Sequence, residues 1–272
     1  MKEKGNPKDK AKPIAFSCYY QNNREGENYV EYDTLQYQVS GSLMLFDGKE
    51  TYPSQKGGLR LVRRNHLMKF FKKPDEKQPF QSLSIYLHLD FLKAFALELD
   101  IKPDLKNVQY APVINLAKNN LLENYLQSVQ AYAQTDELQS PAMADAKLRE
   151  GLLLVLKSNP EIVPMLFDFS EPYKIDLRNF MEQNFAFNVQ LGRFAYLTGR
   201  SLATFKRDFM EEFGISPGRW LTQRRLQEAY RILKHTGKTA SEIYIDMGFE
   251  DLSHFSHAFK RKYGVAPSNI EK

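Results

Sequence analysis

The amino-acid sequence predicts an α+β protein, with an N-terminal antiparallel β-barrel or jelly roll and a helical pair, followed by an all-α C-terminal domain. Short aromatic and β-branched runs separated by Asp-Gly or Gly-Gly fill the first part of the chain, a pattern typical of antiparallel hairpins. Two apolar patterns of helical period follow these runs. After residue 190 one helical segment occurs twice, at a spacing of 50 residues, which indicates two copies of one structural unit.

We expect five regions along the chain. Residues 1–13 are polar and rich in Lys, which predicts a disordered tail. Residues 14–117 form the predicted β-domain, and residues 118–158 form the helical pair. Residues 159–175 contain three prolines and are the predicted linker, because proline-rich connectors are semi-rigid. Residues 176–272 form the helical C-terminal domain.

The β-domain is predicted from four extended runs and the turns between them. These runs cover residues 29–39, 42–46, 59–71 and 81–89. Asp90 is the predicted N-cap of a helix over 91–99, and a last extended piece covers 108–116. Cys18 is the single cysteine, and the aromatic residues around it predict a partly buried strand position.

A basic cluster surrounds the third of these runs. Positive charge on a strand commonly protects an exposed sheet edge from pairing with another chain. The sequence therefore predicts a solvated edge strand, and a grip for an anionic ligand is the alternative. The cluster consists of Arg60, Arg63, Arg64, Lys69, Lys72 and Lys73.

The repeated segment has a start and a stop signal in each copy. Ser201 and Asp251 are the predicted N-caps, because a short side-chain oxygen can accept a hydrogen bond from the free amides of a first helical turn. Gly214 and Gly264 are the predicted left-handed C-caps. Phe recurs every four residues between these signals, so each helix has one apolar stripe and an opposite face that is free for contacts.

A shorter helical pattern precedes each copy and ends in a turn that contains Gly199 or Gly248. Two short helices joined by such a turn form a helix-turn-helix, whose second helix can lie in the major groove of DNA. A longer amphipathic pattern from Trp220 to Leu233 predicts a helix that holds the two units at a fixed separation.

The distribution of charge agrees with a polyanionic partner. The net charge of the chain is +5. Residues 188–272 hold fourteen Lys and Arg against nine Asp and Glu, whereas residues 1–187 hold 24 of each. The whole excess therefore lies on the segment with the two helix-turn-helix units, which favours nucleic acid over a merely solvated face.

The C-terminal hundred residues resemble the DNA-binding domain of AraC/XylS transcription regulators. The resemblance rests on the run 191–201, on Gly-Ile-Ser-Pro at 214–217, on Trp220-Leu221 with Arg225-Leu226, on Gly248-Phe249, and on Phe255-Ser256 with Phe259-Lys260. Three departures stand out, namely Tyr244 in place of the usual alanine, His257 in place of arginine, and Ile270-Glu271 in place of a tyrosine-arginine pair. They imply a repacked second unit and an altered DNA contact.

The resemblance implies a sequence-specific regulator, predicted to be an activator, and it implies DNA-contacting positions on both repeated helices. In the first helix these are Ala203, Thr204, Lys206 and Arg207. In the second they are Ser253, His254, Ser256 and His257, followed by Lys260 and Arg261. Arginine can pair with guanine through two nitrogens, whereas Ser and His make softer contacts, so the first helix is expected to dominate specificity.

The resemblance also implies partners other than double-stranded DNA. The N-terminal domain is expected to be a cupin-like sensor of a small molecule or of a regulatory protein, and RNA polymerase is an expected partner. Helices over 119–134 and 142–157 either complete the core or form a homodimer contact, and the sequence leaves these two interpretations open.

No cofactor or metal is predicted, because His66 and His88 are isolated and His254 and His257 lack an evident third ligand. The alternative function is an enzyme with a catalytic β-domain and a DNA-docking helical module, but no nucleophile motif supports it. No apolar run is long enough to span a bilayer and no secretory signal is visible, so a cytoplasmic protein is expected.

Overall fold

The computed structural model describes residues 12–20, 24–102, 110–133, 135 and 137–270. The predicted α+β class is confirmed, with strands in the N-terminal part and helices in the C-terminal part. The predicted tail over 1–13 lies outside the described residues, apart from its last two positions. None of the described helices is long and apolar enough to cross a membrane.

Within these residues, nine antiparallel strands form two sheets, so of the two predicted forms, barrel or jelly roll, the closed barrel is excluded. No strand of one sheet is hydrogen-bonded to a strand of the other, and the two sheets instead pack through their facing side chains. The strands are β1 (Ile14–Tyr19), β2 (Arg24–Val30), β3 (Asp33–Ser40), β4 (Ser42–Phe46), β5 (Thr51–Ser54), β6 (Leu59–Val62), β7 (His66–Lys73), β8 (Phe80–Leu87) and β9 (Val113–Asn115). The five-stranded sheet has the order β1-β8-β3-β6-β9, and the four-stranded sheet has the order β2-β7-β4-β5.

The predicted run over 59–71 is two strands that belong to different sheets. Asn65 adopts a left-handed φ of 63° between them, and the chain crosses there from β6 to β7. Each of these two strands has a neighbour on both sides, so the predicted edge strand is also wrong. Arg60 is buried and donates from Nε to Gln36 Oε1 at 2.6 Å, which shows that this residue of the basic cluster faces the interior rather than solvent.

Four helices cover the outer face of the five-stranded sheet: α1 (Leu89–Glu98), α2 (Asn120–Ala133), α3 (Pro141–Ser158) and the short α4 (Val163–Leu166). The predicted cap Asp90 lies inside the first turn of α1, because His88 is the extended residue that precedes the helix. Cys18 is exposed rather than partly buried, near the end of the edge strand β1.

The inner face of the five-stranded sheet is unusually polar. Alternate residues point to opposite faces of a strand, so the Leu residues of β3, β6 and β8 pack on the helices while their polar neighbours face the other sheet. These inward polar side chains leave a cavity of about 340 Å³ between the sheets. Among the residues that line it are Thr34, Gln36, Ser84 and Tyr86 from one sheet and Leu43, Leu45, Met68 and Phe70 from the other.

The first part of the predicted linker packs against the β-domain. Ile162, Met165, Leu166 and Phe167 are buried in the core between the helices and the five-stranded sheet. Beyond Phe167, residues 168–176 have no helix or strand. The domain boundaries themselves stay a prediction.

The described part of the C-terminal domain, up to residue 270, contains six α-helices: α5 (Leu177–Asn184), α6 (Leu191–Leu197), α7 (Leu202–Phe213), α8 (Pro217–Thr236), α9 (Ala240–Ile243) and α10 (Leu252–Tyr263). One apolar core forms around α6, α7 and the start of α8, and a second forms around the end of α8, α9 and α10. The predicted arrangement of two units on one linker helix is confirmed.

Candidate nucleic-acid interface

Helices α7 and α10 are built in the same way. The side chain of Ser201 accepts a hydrogen bond from the amide of Thr204 at 3.2 Å, and Asp251 accepts one from the amide of His254 at 2.6 Å. Each helix ends at a left-handed glycine, with φ of 70° at Gly214 and 78° at Gly264. These four capping predictions are confirmed.

The apolar stripes determine which side of each helix is free. Phe205 and Phe209 in the first unit, and Phe255 and Phe259 in the second, are completely buried. Their burial turns the opposite sides of α7 and α10 to solvent. The predicted contact residues are therefore all exposed or half-buried: Ala203, Thr204, Lys206 and Arg207 on α7, and Ser253, His254, Ser256, His257, Lys260 and Arg261 on α10.

Arg207 is available for a contact on the outer side of α7. Its side chain is 74% exposed, and a single long contact of 3.4 Å joins Nη2 to Asp208. Asp208 is already held by Lys174 and Arg200, and hydrogen bonds from these two cations lower the pKa of its carboxyl. The carboxylate is therefore compensated without Arg207, which leaves that guanidinium free to bind another acceptor.

The outer side of α10 differs in chemistry. The ring of His254 lies edge-on to Phe249, with 5.6 Å between centroids, so this residue has a partner in its own unit. Ser256 is half-buried, whereas His257, Lys260 and Arg261 are exposed. The face combines softer hydrogen-bonding groups near its start with cations near its end.

The turn of the first unit requires glycine. Gly199 has a φ of 65°, and a Cβ built there would lie 2.2 Å from the carbonyl carbon of Tyr173. Thr198 precedes it, and its hydroxyl donates back to the carbonyl of Phe194 at 2.9 Å. The connecting segment after the β-domain is thus packed directly on the turn of the helix-turn-helix.

The second unit begins with a capping box. The amide of Thr239 donates to the Glu242 carboxylate at 2.7 Å, and the Thr239 side chain caps the helix in return. Tyr244, one of the departures from the family pattern, packs partly buried against the core of this unit. Tyr244 begins a turn over residues 244–248, and the helix before it, α9, is shorter than α6.

Arg225 on the linker helix connects the two units through three backbone carbonyls. Its Nε donates to Phe185 at 2.7 Å and Nη2 to Phe187 at 2.8 Å, both in the segment that leads into the first unit. Its Nη1 donates to Gly248 in the turn of the second unit at 2.9 Å. A planar guanidinium can hold all three acceptors at once, so this one side chain joins the segment before the first unit to the turn of the second unit.

The β-domain touches both units. Lys69 of β7 donates from Nζ to the carbonyl of Asp246 at 2.7 Å, in the turn of the second unit. Tyr29 of β2 lies edge-on to Tyr196 of α6, with 6.5 Å between centroids, and the Arg193 guanidinium lies 4.3 Å from the Tyr29 ring centre. Sequence reasoning missed these contacts, because nothing in the repeat points to a partner elsewhere in the chain.

The fold and the interface define a class: a DNA-binding transcription regulator with two helix-turn-helix units. The sequence matches the model of a helix-turn-helix domain over residues 194–272 and that of the ExsA N-terminal regulatory domain over residues 33–164. The chain belongs to the AraC/XylS family of transcription regulators.

Two curated relatives span most of the chain. The virulence regulon transcriptional activator VirF of Yersinia enterocolitica is 26% identical, and the match covers 87% of this chain and 88% of VirF. The regulator ExsA of Pseudomonas aeruginosa is 26% identical, with 85% of this chain and 82% of ExsA covered. Among solved structures, a variant of ToxT from Vibrio cholerae is 13% identical with a TM-score of 0.45, and 94% of each chain is covered.

Proposed function

We propose that this protein activates transcription by placing α7 and α10 in two successive major grooves on one face of a promoter. The observation that carries this proposal is the pair of equivalent helices with exposed polar faces, which Arg225 and α8 hold in a fixed relation. One helical turn of DNA separates successive grooves by about 34 Å, so one chain should cover roughly 20 base pairs. Activation is supported by the similarity to VirF, which is a virulence regulon transcriptional activator.

In this proposal α7 reads bases more strictly than α10. Lys206 and Arg207 on α7 can donate to guanine, with Ala203 and Thr204 beside them at the start of the helix. On α10, Ser253, His254, Ser256 and His257 make softer base contacts. Lys260 and Arg261 bind phosphates, which position the protein without reading sequence.

The proposal is tested by selecting binding sites from random DNA with the full chain and then mapping protected bases. We expect two protected major-groove segments about one helical turn apart. We also expect log K to fall linearly with log salt, by about 0.9 for each phosphate neutralised. A single protected segment, or a binding constant that salt does not change, would contradict the two-groove arrangement.

We further propose that the β-domain controls the DNA-binding domain by sensing a small molecule or a regulatory protein. Tyr29 supports this, because it lines the cavity between the sheets and also packs against Tyr196 and Arg193 of the first unit. A change in the cavity would therefore reach α6 through one side chain. Arg60 is buried and donates a hydrogen bond to Gln36, which lines the cavity. Burial lowers the pKa of the Arg60 guanidinium to about 10.

A fragment of residues 171–272 tests this division of roles. We expect the fragment to keep the half-site preference of the full chain, and we expect only the full chain to give a regulated response in cells. If the fragment loses its sequence preference, recognition needs the β-domain and the division is wrong.

We also propose that the protein forms a homodimer through α2 and α3. We propose further that it contacts RNA polymerase and that it is located in the cytoplasm. Leu121 of α2 and Leu153 of α3 support the dimer, since their side chains are 57% and 49% exposed on the outer side of the helical pair. Sedimentation of the full chain should show a dimer, and Leu153→Glu should shift it to monomer. An unchanged sedimentation coefficient for the variant would remove α3 from the dimer contact.

A further inference from the structure

A cleft separates the linker helix α8 from the second recognition helix α10. Its volume is about 460 Å³. Leu226 of α8 and Ala258 of α10 are buried and form its floor, while polar and charged side chains form its rim. The rim consists of Arg219, Thr222 and Gln223 from α8 and Arg261 and Lys262 from α10.

Three of the five rim residues are cations, and no carboxylate lines the cleft among the described residues. In that part of the chain neither Arg219 nor Arg261 has an acidic partner. Lys262 donates from Nζ to the carbonyl of Gln223 at 2.7 Å, which places its charge at the rim rather than out in solvent. The cleft therefore concentrates positive charge, and no carboxylate among the described residues that line it compensates this charge.

Two other cations of α8 are compensated. Arg224 pairs with Glu182 at 2.8 Å, and Arg231 pairs with Glu228 at 2.6 Å. Both lie on a different side of the helix, in a groove that Glu182 and Glu228 also line. Arg219, in contrast, places a positive charge without an acidic partner among the described residues on the side of the linker helix that faces α10.

The cleft opens beside the proposed DNA-reading face. Arg261 belongs to both, because it lines the cleft and lies four residues, about one helical turn, after His257. Arg219 lies in the first turn of α8, shortly after α7 ends at Phe213, so the rim of the cleft runs from the end of the first unit to α10. A duplex that contacts both recognition helices would carry its backbone past this rim.

We propose that this cleft binds a phosphate of the DNA backbone in the stretch between the two major-groove sites, with Arg219 as the principal donor. The inference rests on the proposed two-groove binding and adds a third point of attachment to it. A guanidinium donates two parallel hydrogen bonds to a phosphate, and such contacts set register and orientation rather than sequence. Arg219 is then a positioning residue that determines which spacing of half-sites the protein accepts.

The test combines a variant with chemically modified DNA. The selected site is prepared as a series of duplexes in which one phosphate at a time, between the half-sites, is replaced by an uncharged methylphosphonate. For the unaltered protein we expect one or two central replacements to weaken binding roughly fivefold and to lower the salt slope by about 0.9. For Arg219→Gln the same replacements should have no further effect, while the preference for bases in both half-sites is unchanged.

Arg231→Gln is the matched control, because it removes the same charge from the same helix outside the cleft. It should bind like the unaltered protein and should keep its sensitivity to the central methylphosphonates. Arg219→Lys retains the charge and should recover most of the salt slope, and circular-dichroism melting confirms that each variant is folded.

The outcomes separate the two proposals. If the unaltered protein does not protect two segments, the two-groove function fails. If it protects both, but Arg219→Gln and Arg231→Gln respond equally to every central methylphosphonate, the cleft is not on the path of the DNA and the further inference is overturned.

Discussion

The guanidinium of Arg225 donates to the backbone carbonyl of Gly248 at 2.9 Å, and this contact links the linker helix to the turn of the second helix-turn-helix unit. The same side chain holds the carbonyls of Phe185 and Phe187 ahead of the first unit. Helices α7 and α10 pack into two separate apolar cores. Arg225, in the middle of α8, therefore links two units that share no core.

Replacing Arg225 by Lys should loosen this relation. An ammonium group cannot reach three carbonyls in one plane, so we expect the free energy of unfolding to fall by about 2 to 4 kcal/mol. Binding to DNA with both half-sites should weaken more than binding to DNA with one half-site. Denaturant unfolding and titration with the two DNAs measure these effects.

Arg224→Lys is the control for that substitution. Arg224 is the preceding residue and pairs with the side chain of Glu182 near the surface, so its replacement should cost less than about 1 kcal/mol. Equal losses for the two variants would show that Arg225 acts as an ordinary surface cation.

Lys69→Met tests the contact between the β-domain and the second unit. The substitution keeps an apolar stem and removes the donor to the Asp246 carbonyl. Loss of one such hydrogen bond is worth about 1 kcal/mol, so amide exchange in residues 245–249 should accelerate roughly fivefold. Lys49→Met, in the exposed turn between β4 and β5, should leave that exchange unchanged. If amide exchange in residues 245–249 is unchanged in Lys69→Met, the contact does not stabilise the turn of the second unit.

Arg207 and His257 occupy equivalent outward positions, two residues after Phe205 and Phe255. An arginine can bond one guanine twice, so Arg207→Ala should cost roughly 1 to 3 kcal/mol and relax one base position. His257→Ala should cost less and leave its half-site only slightly more degenerate. Binding of both variants to every single-base variant of the site, at one salt concentration, measures the difference. A larger or more selective loss for His257→Ala would assign the dominant reading to α10.

Three Gly→Ala substitutions should differ in sign and size. At Gly199 both the left-handed φ and the Tyr173 backbone oppose a Cβ, so the free energy of unfolding should fall by more than about 2 kcal/mol. At Gly214 only the left-handed φ of 70° opposes alanine, because no atom lies within 4 Å of the added Cβ. The free energy of unfolding should therefore fall by about 1 kcal/mol. At Gly192, inside α6 with nothing within 4 Å, alanine should stabilise by up to about 1 kcal/mol. Thermal unfolding of the three variants gives the order, and a neutral Gly199→Ala would show that Tyr173 moves aside.

The sequence by itself determined the C-terminal domain, because its signals are local. Ser201, Asp251, Gly214 and Gly264 cap their helices through bonds within one turn, and a Phe every fourth residue defines the buried side of each. A pattern of this kind depends on neighbours three or four residues away, so it can be recognised without knowing the rest of the fold. The exposed or half-buried positions of the ten predicted contact residues follow from it.

The tertiary structure decided everything that joins distant parts of the chain. The run over 59–71 looks continuous, but Asn65 turns it from one sheet into the other, and burial of Arg60 depends on Gln36, which is 24 residues away. Likewise, Arg225, Lys69 and Arg219 are polar residues whose neighbours come from other elements. Long-range packing leaves no periodic trace in the sequence, because each such contact pairs two residues whose separation is set by the topology of the whole chain.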